Sequence, residues 1–401
     1  MNRHNRITAY IHMDAIAQNL RVMKENLRPG TRVMAVIKTD GYGHGAVPIA
    51  RMLECDEDIW GYAVAAVSEA KELRSAGLKK PILILGYTFS EDYAWMAQNG
   101  VRPTVFTREM AEEFAGEALR CAQNTCLADA KSPNADFSEK NLSGRIIRNR
   151  FPVHLAVDTG MSRIGVADTQ EGLAAALAIA HVDGIELEGV FTHFARADEK
   201  DKSSARRQIE RYTAFCDRLR EGGAADFMRH CSNSAGILEL SEANMDMVRA
   251  GITLYGIYPS DEMDRLANRL RPVMELKSHV VYLKRIPAGT PVSYGGTYVS
   301  DKEMEVATIP AGYGDGYPRS LSNKGSVLIR GRRARIIGRV CMDQFMADVT
   351  GMGVRMLDEV TLMGKDGADE ITVDELGAIS GRFPYEFVCD IGKRVPRVYC
   401  R

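Results

Sequence analysis

The sequence has no long apolar run, no CxxC pair of cysteines and no excess of charge of either sign. A net charge of -1 over 401 residues gives no reason to expect nucleic acid or an anionic membrane as a partner. The first twenty residues carry charges and no continuous apolar core, which predicts neither a signal peptide nor a membrane span. The eight cysteines are scattered and the eight histidines show no HExxH spacing. We therefore expect a cytoplasmic protein with reduced thiols and no metal site.

The first two-thirds of the chain alternates between short apolar runs and segments of helical composition. Asp14 is placed to cap a first helix. Eight apolar runs then follow as strand candidates, at 33–37, 59–65, 81–85, 101–106, 153–157, 187–192, 227–230 and 247–249. Each is followed by a helical pattern, so the predicted fold class is α/β, a (β/α)8 TIM-like barrel. An open doubly wound sheet has the same alternation and stays an alternative at this point.

Two stretches depart from this repeat. Residues 121–150 are polar and rich in Asn, Ser and Asp, which predicts a surface insertion between the fourth and fifth repeats. Beyond residue 271, short alternating strands are separated by Gly, Pro and Asp, with one clear helix at 372–379. We predict a barrel domain over 1–268, whose first residues can pair with the second domain, and a mainly β domain over 269–401.

Lys38 closes the first predicted barrel strand and is followed by a glycine-rich stretch, TDGYGHG. Active sites of such barrels lie at the carboxyl ends of the strands. Partial burial disfavours an ammonium group, so a free amine able to form an imine would be accessible near neutral pH. An ordinary surface lysine at a strand end is the competing interpretation of this stretch alone.

The ends of later strands carry further polar residues that would converge on the same face of the barrel. They are an imidazole, two arginines and an amide–hydroxyl pair: His193, Arg163, Arg249, Asn233 and Ser234. The Asn-Ser pair opens a helix and, with the amides of Gly251 and Ile252, forms a pattern that suits a phosphate group. Together these residues predict one active site at the mouth of the barrel.

Eight collinear motifs resemble those of a known family. They are AVIKTDGYGHG, VDTGMSRIGV, GVFTHFARAD, SNSAG, VRAGITLYG, VSYGGTY, IPAGYGDGYPR and GRVCMDQFMADVT. In this order they resemble the alanine racemases, fold-type III pyridoxal-phosphate enzymes, over the whole chain apart from the insertion. The resemblance implies a (β/α)8 barrel with a β domain, pyridoxal 5′-phosphate held covalently on Lys38, and a head-to-tail homodimer with shared active sites.

The resemblance also implies which residues transfer the protons. Lys38 resembles the cofactor-bound lysine that is also the base on the D face, and Tyr294 of the partner subunit resembles the base on the L face. Racemisation needs a proton removed and added on opposite faces, which one base on each face supplies. Arg249 resembles the arginine facing the pyridine nitrogen; because arginine keeps its proton, the nitrogen stays unprotonated and transamination is disfavoured. His193 resembles the residue that lies against the cofactor ring and links Arg249 to Tyr294.

Other residues resemble binding groups of the family. The phosphate cradle would consist of Tyr42, Asn233, Ser234, Gly251 and Ile252. Arg163 would steady the phenolic oxygen of the cofactor and the substrate carboxylate, which the backbone N–H of Met342 would also hold from the partner chain. Tyr313 resembles a tyrosine at the access channel, with Asp343 and Arg319 nearby.

Two positions depart from the family pattern. Many members carry a lysine on the fifth strand that becomes carbamylated and fixes the arginine equivalent to Arg163. This chain has Ala156 there, so we expect an anion such as chloride, a water or a nearby acid to replace the carbamate. Where some members have a tyrosine that touches the phosphate and narrows the substrate pocket, this chain has Lys393. That lysine would either add charge near the phosphate or point to solvent, and we favour solvent. Serine racemases also vary there, which leaves the choice between alanine and serine open.

The predicted function is therefore a pyridoxal-phosphate-dependent racemase that interconverts L- and D-alanine by a two-base mechanism and supplies D-alanine for cell-wall synthesis. A serine or alanine/serine racemase is the first alternative, although serine racemases of the resistance-associated kind usually carry a membrane domain. A non-catalytic pyridoxal-phosphate carrier is a further alternative. Such carriers resemble the barrel half only, so VSYGGTY and GRVCMDQF in the β domain count against it. Related decarboxylases favour a carboxylate at the pyridine nitrogen, and Arg249 argues against them.

Overall fold

The barrel is built from the second to eleventh strands of the chain; the first strand lies outside it. The computed structural model describes residues 5–130 and 150–400. Strand β1 (Ile7–His12) is followed by β2 (Arg32–Val36), β3 (Ile59–Val64), β4 (Ile82–Ile84), β5 (Val101–Arg102), β6 (Thr104–Val105), β7 (Phe151–Asp158), β8 (Val166–Ala167), β9 (Ile185–Phe191), β10 (Met228–His230) and β11 (Met247–Ala250). Pro103 interrupts one barrel strand and so separates β5 from β6, and β8 is a short strand beside β7. Eight barrel strands result.

These eight strands are parallel and close on themselves. Their order is β11-β2-β3-β4-β5 and β6-β7-β9-β10, and β10 lies beside β11, where the Arg249 N–H donates to the Ser232 carbonyl at 3.0 Å. Closure rules out the doubly wound alternative and confirms the barrel. The eight predicted strand positions are confirmed to within two residues at each end, because strands buried on both faces appear in a sequence as continuous apolar runs.

The helices around the barrel differ from the prediction at two points. They are Met13–Glu25, Ala46–Leu53, Val67–Ser75, Tyr93–Gln98, Arg108–Ala130, Gln170–Ala180, Ser203–Glu221 and Ser234–Glu239. The eighth strand is followed by a 3₁₀ turn, Ile252–Tyr255, and the helix Met13–Glu25 packs against that turn instead of a helix from the eighth repeat. Asp14 is not the helix cap; His12 holds that position, and Asp14 lies in the first turn, where its charge suits the helix dipole.

The predicted insertion at 121–150 is only partly within the described residues. The helix Arg108–Ala130 continues through its first residues, where an irregular surface loop was expected. Residues 131–149 lie outside the described residues, so the rest of this prediction is untested.

The second part of the chain is mainly β. Its strands are β12 (Met274–His279), β13 (Tyr282–Ile286), β14 (Pro291–Val292), β15 (Tyr298–Val299), β16 (Met304–Ile309), β17 (Ser326–Ile329), β18 (Arg332–Ile337), β19 (Phe345–Asp348), β20 (Glu359–Asp366), β21 (Asp369–Ile371) and β22 (Arg397–Cys400). One sheet runs β13-β16-β19-β18-β17-β20-β12-β1-β22, with β21 on β20 and β14–β15 as a separate ribbon. Strand β1 therefore pairs with the C-terminal strands. Two helices, Val373–Ser380 and Pro384–Cys389, lie between β21 and β22, where one was predicted.

The main hydrophobic core is continuous between the barrel and the large sheet. A second, smaller cluster lies beneath the β14–β15 ribbon and consists of Ile286, Val292, Met304, Val306 and Ile337. In the described part of the chain, no helix combines the length and the apolar character that crossing a membrane requires.

Candidate active site

A cavity of about 450 Å³ opens at the carboxyl ends of the barrel strands, the end at which barrel enzymes place their active sites. Nine of the twelve predicted site residues line it: Lys38, Tyr42, Arg163, His193, Asn233, Ser234, Arg249, Gly251 and Ile252. The other three, Tyr294, Tyr313 and Met342, are not among its lining residues. One chain therefore brings together the predicted cofactor-binding residues but not the predicted second base.

Lys38 is followed by a turn of left-handed helix. Thr39, Asp40 and Tyr42 have φ of 54°, 50° and 51°, which is rare for residues with a Cβ and costs free energy. Two carboxylates hold the turn: Asp40 Oδ1 accepts the Ala46 N–H at 2.8 Å, and Glu69 Oε1 accepts the Thr39 N–H at 2.5 Å. The turn brings Tyr42 to the same cavity as Lys38.

The environment of Lys38 favours its neutral amine. Burial lowers the pKa of Lys38, and the Arg163 guanidinium lowers this pKa further, while the Glu69 carboxylate acts in the opposite direction. A larger fraction of the side chain is therefore unprotonated at neutral pH than for an exposed lysine. The unprotonated amine is the form that attacks a carbonyl carbon.

A small polar cradle lies beside the lysine strand end, where the neighbouring strands β11 and β10 end. Asn233 caps the helix Ser234–Glu239, and its amide oxygen accepts a backbone N–H of the first turn at 3.0 Å. Ser234 Oγ accepts the Gly251 N–H at 3.1 Å. A Cβ on Gly251 would lie 3.1 Å from that oxygen and 3.4 Å from Tyr42 Oη, so glycine leaves this space open. Burial raises the pKa of Tyr42, which keeps its hydroxyl a donor.

Arg249 is buried and held only by neutral acceptors among the described residues. Its Nη1 donates to the His230 carbonyl at 2.6 Å and lies 2.9 Å from His230 Nδ1; its Nη2 donates to the Thr192 carbonyl at 2.7 Å and lies 3.2 Å from His193 Nδ1. Burial lowers the pKa of Arg249 to about 10, so it remains a cation at neutral pH. Burial and the Arg249 charge lower the pKa of His193 to about 3, so His193 is neutral.

A chain of hydrogen bonds leads from Arg249 through the barrel interior. His230 Nε2 lies 2.8 Å from His154 Nδ1, and His154 Nε2 lies 3.1 Å from Glu188 Oε2, which also accepts from Arg102 at 2.9 Å. Because Arg249 can only donate, both histidines must carry their proton on Nε2. Burial alone would raise the pKa of Glu188, but the hydrogen bonds from His154 and Arg102 lower it to about 2. The buried cation is thus connected to one partly buried carboxylate.

The surroundings of Arg163 agree with the departure expected at residue 156. Ala156 is buried in β7 and borders a small cavity shared with Arg163, Thr192 and His193. Arg163 is exposed and makes no hydrogen bond or ion pair with any described residue. Among the described residues, no acid therefore contacts Arg163, and an anion or water stays the prediction for the group that replaces the carbamate.

The structure confirms the solvent position favoured for Lys393. That lysine is exposed and does not line the cavity, whereas Tyr385 does. The Tyr385 ring meets Tyr42 edge-on with centroids 6.2 Å apart and stacks on Phe383 at 4.4 Å. The family pattern suggested that the cavity wall has lost a tyrosine here. The wall instead has two aromatic rings, and the only indication of them in the sequence was the FPYEF segment.

Two further polar residues were missed. Asp198 lines the cavity. Gln208, buried on the helix Ser203–Glu221, donates to Thr159 Oγ1 and to the His193 carbonyl, both at 3.1 Å. Gln208 thus joins the loops that follow β7 and β9. Its place on a helix facing the barrel resembles any core position, so periodicity gave no indication of this role.

The three predicted residues outside the cavity are all exposed on the β domain. Tyr294 is 71% exposed, Met342 54% and Tyr313 43%.

Comparisons with known proteins agree with this geometry. Residues 11–259 match the family model "Alanine racemase, N-terminal domain", and residues 273–399 match "Alanine racemase, C-terminal domain". The chain is 44% identical to the alanine racemase of Desulforamulus reducens over 98% of both chains. Among solved structures it is similar to an alanine racemase of Clostridium difficile 630, with a TM-score of 0.87 and 35% identity over 100% of this chain and 97% of that one. It is also similar to an alanine racemase of Bartonella henselae with covalently bound pyridoxal phosphate, with a TM-score of 0.80 and 26% identity over 98% and 99%.

Proposed function

This chain belongs to the alanine racemase family, and from this membership we propose that it interconverts L- and D-alanine with pyridoxal 5′-phosphate held covalently on Lys38. The observation that carries the proposal is the cavity itself, which combines a lysine of lowered pKa, a phosphate-sized cradle and a buried arginine. Serine is not favoured as the substrate, because three relatives that match over 97–98% of this chain are alanine racemases.

The residues present fit pyridoxal phosphate. The free amine of Lys38 suits its aldehyde, the space at Gly251 with the Ser234 and Tyr42 hydroxyls suits its phosphate, and the Arg249 cation suits an unprotonated pyridine nitrogen. When bound, this cofactor draws electrons from the α carbon of the amino acid and makes its proton removable. Arg249 keeps its own proton and so limits that withdrawal, which favours proton return over transamination.

The proton steps need two bases on opposite faces of the substrate. Lys38 would take and return the proton on the D face, and Tyr294 of the partner subunit would act on the L face. The exposure of Tyr294 and its absence from the cavity of its own chain support a homodimer in which each β domain completes the partner's active site. Met342 and Tyr313 would reach the partner's substrate on the same surface.

Tyr294→Phe tests the second base. The variant retains the ring but loses the hydroxyl that exchanges the proton, so we expect normal cofactor absorbance and a fall of roughly 100-fold or more in L-to-D turnover. Tyr282→Phe, at an exposed tyrosine of strand β13, is the matched control and should keep full turnover. Undiminished turnover by Tyr294→Phe would refute its role as a base.

Mixing two inactive variants tests the shared site. A dimer of one Lys38→Ala subunit with one Tyr294→Phe subunit has one site with both bases intact, provided that Tyr294 acts in the partner's site. After subunit exchange, statistical mixing of this isologous pair should restore about a quarter of the wild-type activity. If each chain supplied both bases to its own site, no activity would return.

We further propose that the enzyme works in the cytoplasm and that its D-alanine supplies cell-wall synthesis. Expression of the chain in a bacterium that requires D-alanine should restore growth without the supplement, and the Lys38→Ala variant should not. Growth that still depended on added D-alanine, with the wild-type protein present, would contradict this assignment.

A further inference from the structure

The residue before Tyr294 has a backbone conformation that normally requires glycine. Ser293 has φ of 65° and ψ of -175°, a combination that a Cβ makes unfavourable. Its Oγ donates to the Arg339 carbonyl at 2.7 Å. Gly338 leaves the necessary room, because a Cβ there would lie 2.7 Å from Ser293 Cβ. Surrounding contacts therefore impose this conformation, and it sets the direction in which the chain enters Tyr294.

Cys341 connects the same point to two more residues. Its Sγ lies 3.5 Å from Ser293 Oγ and 3.5 Å from the Arg339 carbonyl oxygen. Its own carbonyl oxygen accepts the Tyr313 N–H at 3.1 Å, and Met342 is the next residue in the chain. Ser293 and Cys341 thus form a link between three exposed side chains that are far apart in sequence.

The position of Tyr294 depends on such local contacts. It begins the turn Tyr294–Gly296 between β14 and β15, two-residue strands that pair only with each other. This ribbon packs on the small second cluster through Val292 rather than on the main core. A two-stranded ribbon is marginally stable by itself, so contacts at its end decide how well the turn is placed.

We propose that Ser293 and Cys341 are positioning residues that hold Tyr294, Tyr313 and Met342 in one fixed arrangement for use in the partner's active site. The inference rests on the proposed function, because it gives these three residues their task. Neither Ser293 nor Cys341 touches the substrate in this scheme; each acts through the residues it fixes.

Four variants of the holoenzyme separate positioning from folding. Ser293→Ala keeps the Cβ but loses the hydrogen bond, and Ser293→Gly loses the hydrogen bond while relieving the backbone. Cys341→Ala removes the second contact, whereas Cys341→Ser replaces the thiol with a hydroxyl that can still donate to the Arg339 carbonyl. We expect D-to-L conversion to fall roughly 10- to 100-fold in the first three, the size expected for a displaced catalytic group, and Cys341→Ser to retain most of it. Ser293→Gly should remain as thermally stable as the wild type.

Deuterium exchange provides a readout that a folding defect would not give. In D₂O, Lys38 alone can exchange the α proton of D-alanine, so recovered D-alanine should still gain deuterium in Ser293→Ala while conversion to L-alanine falls. Equal losses of exchange and conversion, or full conversion by all four variants, would overturn the inference. Tyr294→Phe is measured alongside. If it loses conversion but the Ser293 and Cys341 variants do not, only this inference fails; if it keeps conversion, the proposed function of Tyr294 fails as well.

Discussion

Arg249 shows how one buried charge is kept in place without a carboxylate beside it. Its nearest acceptors are carbonyl and imidazole groups, and the nearest acid along its hydrogen-bond chain is Glu188, beyond two neutral histidines. The distance matters chemically: a carboxylate directly at the pyridine nitrogen would favour its protonation, whereas a remote one can orient the guanidinium without doing so. The histidines transmit orientation because each has only one tautomer that satisfies both neighbours.

Glu188→Gln tests this arrangement. The variant keeps the shape of the side chain but removes the charge, leaving Arg102 and Arg249 less well compensated. We expect turnover to fall roughly 10-fold, the size typical of losing a group that orients a functional residue from behind, and abortive transamination of the cofactor to increase. Glu186→Gln, on the same strand but exposed, is the control. Wild-type turnover and transamination rates in Glu188→Gln would show that the chain of hydrogen bonds does not act on Arg249.

The guanidinium of Arg163, which makes no hydrogen bond or ion pair with any described residue, should make substrate binding depend on the salt present. With Ala156 in place of a carbamylated lysine, we predict that an anion, rather than water, orders Arg163 for the substrate carboxylate. We expect the KM for alanine to be several-fold lower in chloride than in gluconate at the same ionic strength, because the smaller anion can enter the cavity beside Ala156. Arg163→Gln should abolish this difference. Equal KM values for the wild type in both salts would exclude an anion in this role.

Among the helices and strands, those whose side chains are buried were the ones that could be predicted from the sequence. The eight barrel strands were visible because their side chains face the core on both sides, and the polar residues at their ends could be grouped once the barrel was assumed. The left-handed turn after Lys38 was not visible, because its hand depends on the carboxylates of Asp40 and Glu69. Tyr385 was missed because the helix Pro384–Cys389, which contains it, was not predicted. Contacts between distant segments decide these points, and they leave no local pattern.

The contact between the left-handed turn after Lys38 and the helix Pro384–Cys389 can be tested with a matched pair of glycines. Gly43 has φ of 79°, and a Cβ there would lie 2.0 Å from the Val388 carbonyl oxygen; Gly77 has φ of 85° and nothing within 4 Å. Gly77→Ala should lower the free energy of unfolding by about 1–2 kcal/mol, which is the cost of a residue with a Cβ in the left-handed conformation. Gly43→Ala has the same cost, and its Cβ also pushes the turn, with Lys38 and Tyr42, away from the helix.

We therefore expect Gly43→Ala to lose its cofactor on gel filtration and Gly77→Ala to retain it, as measured by visible absorbance per subunit. Thermal unfolding of both variants gives the backbone contribution separately. Equal cofactor retention by the two would show that the turn does not need its contact with the helix Pro384–Cys389.

For the whole molecule, the same burial that prepares the site also limits the pH range in which the fold is stable. Four histidines are enclosed in or near the barrel: His44, His154, His193 and His230. Burial lowers the pKa of each, to about 4 for His44 and about 3 for His193. The unfolded chain therefore binds more protons than the folded one below a pH of about 6.5, so the free energy of unfolding must fall as the pH decreases through this range. Glu188 adds to this loss at lower pH, because its pKa of about 2 in the folded chain lies below the value of 4.5 for a free carboxyl group, so the unfolded chain again binds more protons.

The slope with which the free energy of unfolding falls as the pH decreases can be measured. Each histidine contributes up to about 1.4 kcal/mol per pH unit, so urea unfolding of the cofactor-free protein, at fixed subunit concentration, should show steep destabilisation between about pH 6.5 and pH 5. His44→Gln removes one titrating group, and its slope should be shallower by up to that amount because the amide can still donate to the Tyr42 carbonyl. His181→Gln, at an exposed histidine, should reproduce the wild-type slope. A free energy of unfolding that stayed constant over this range, or equal slopes for His44→Gln and the wild type, would mean that the buried imidazoles take up protons without opening the fold.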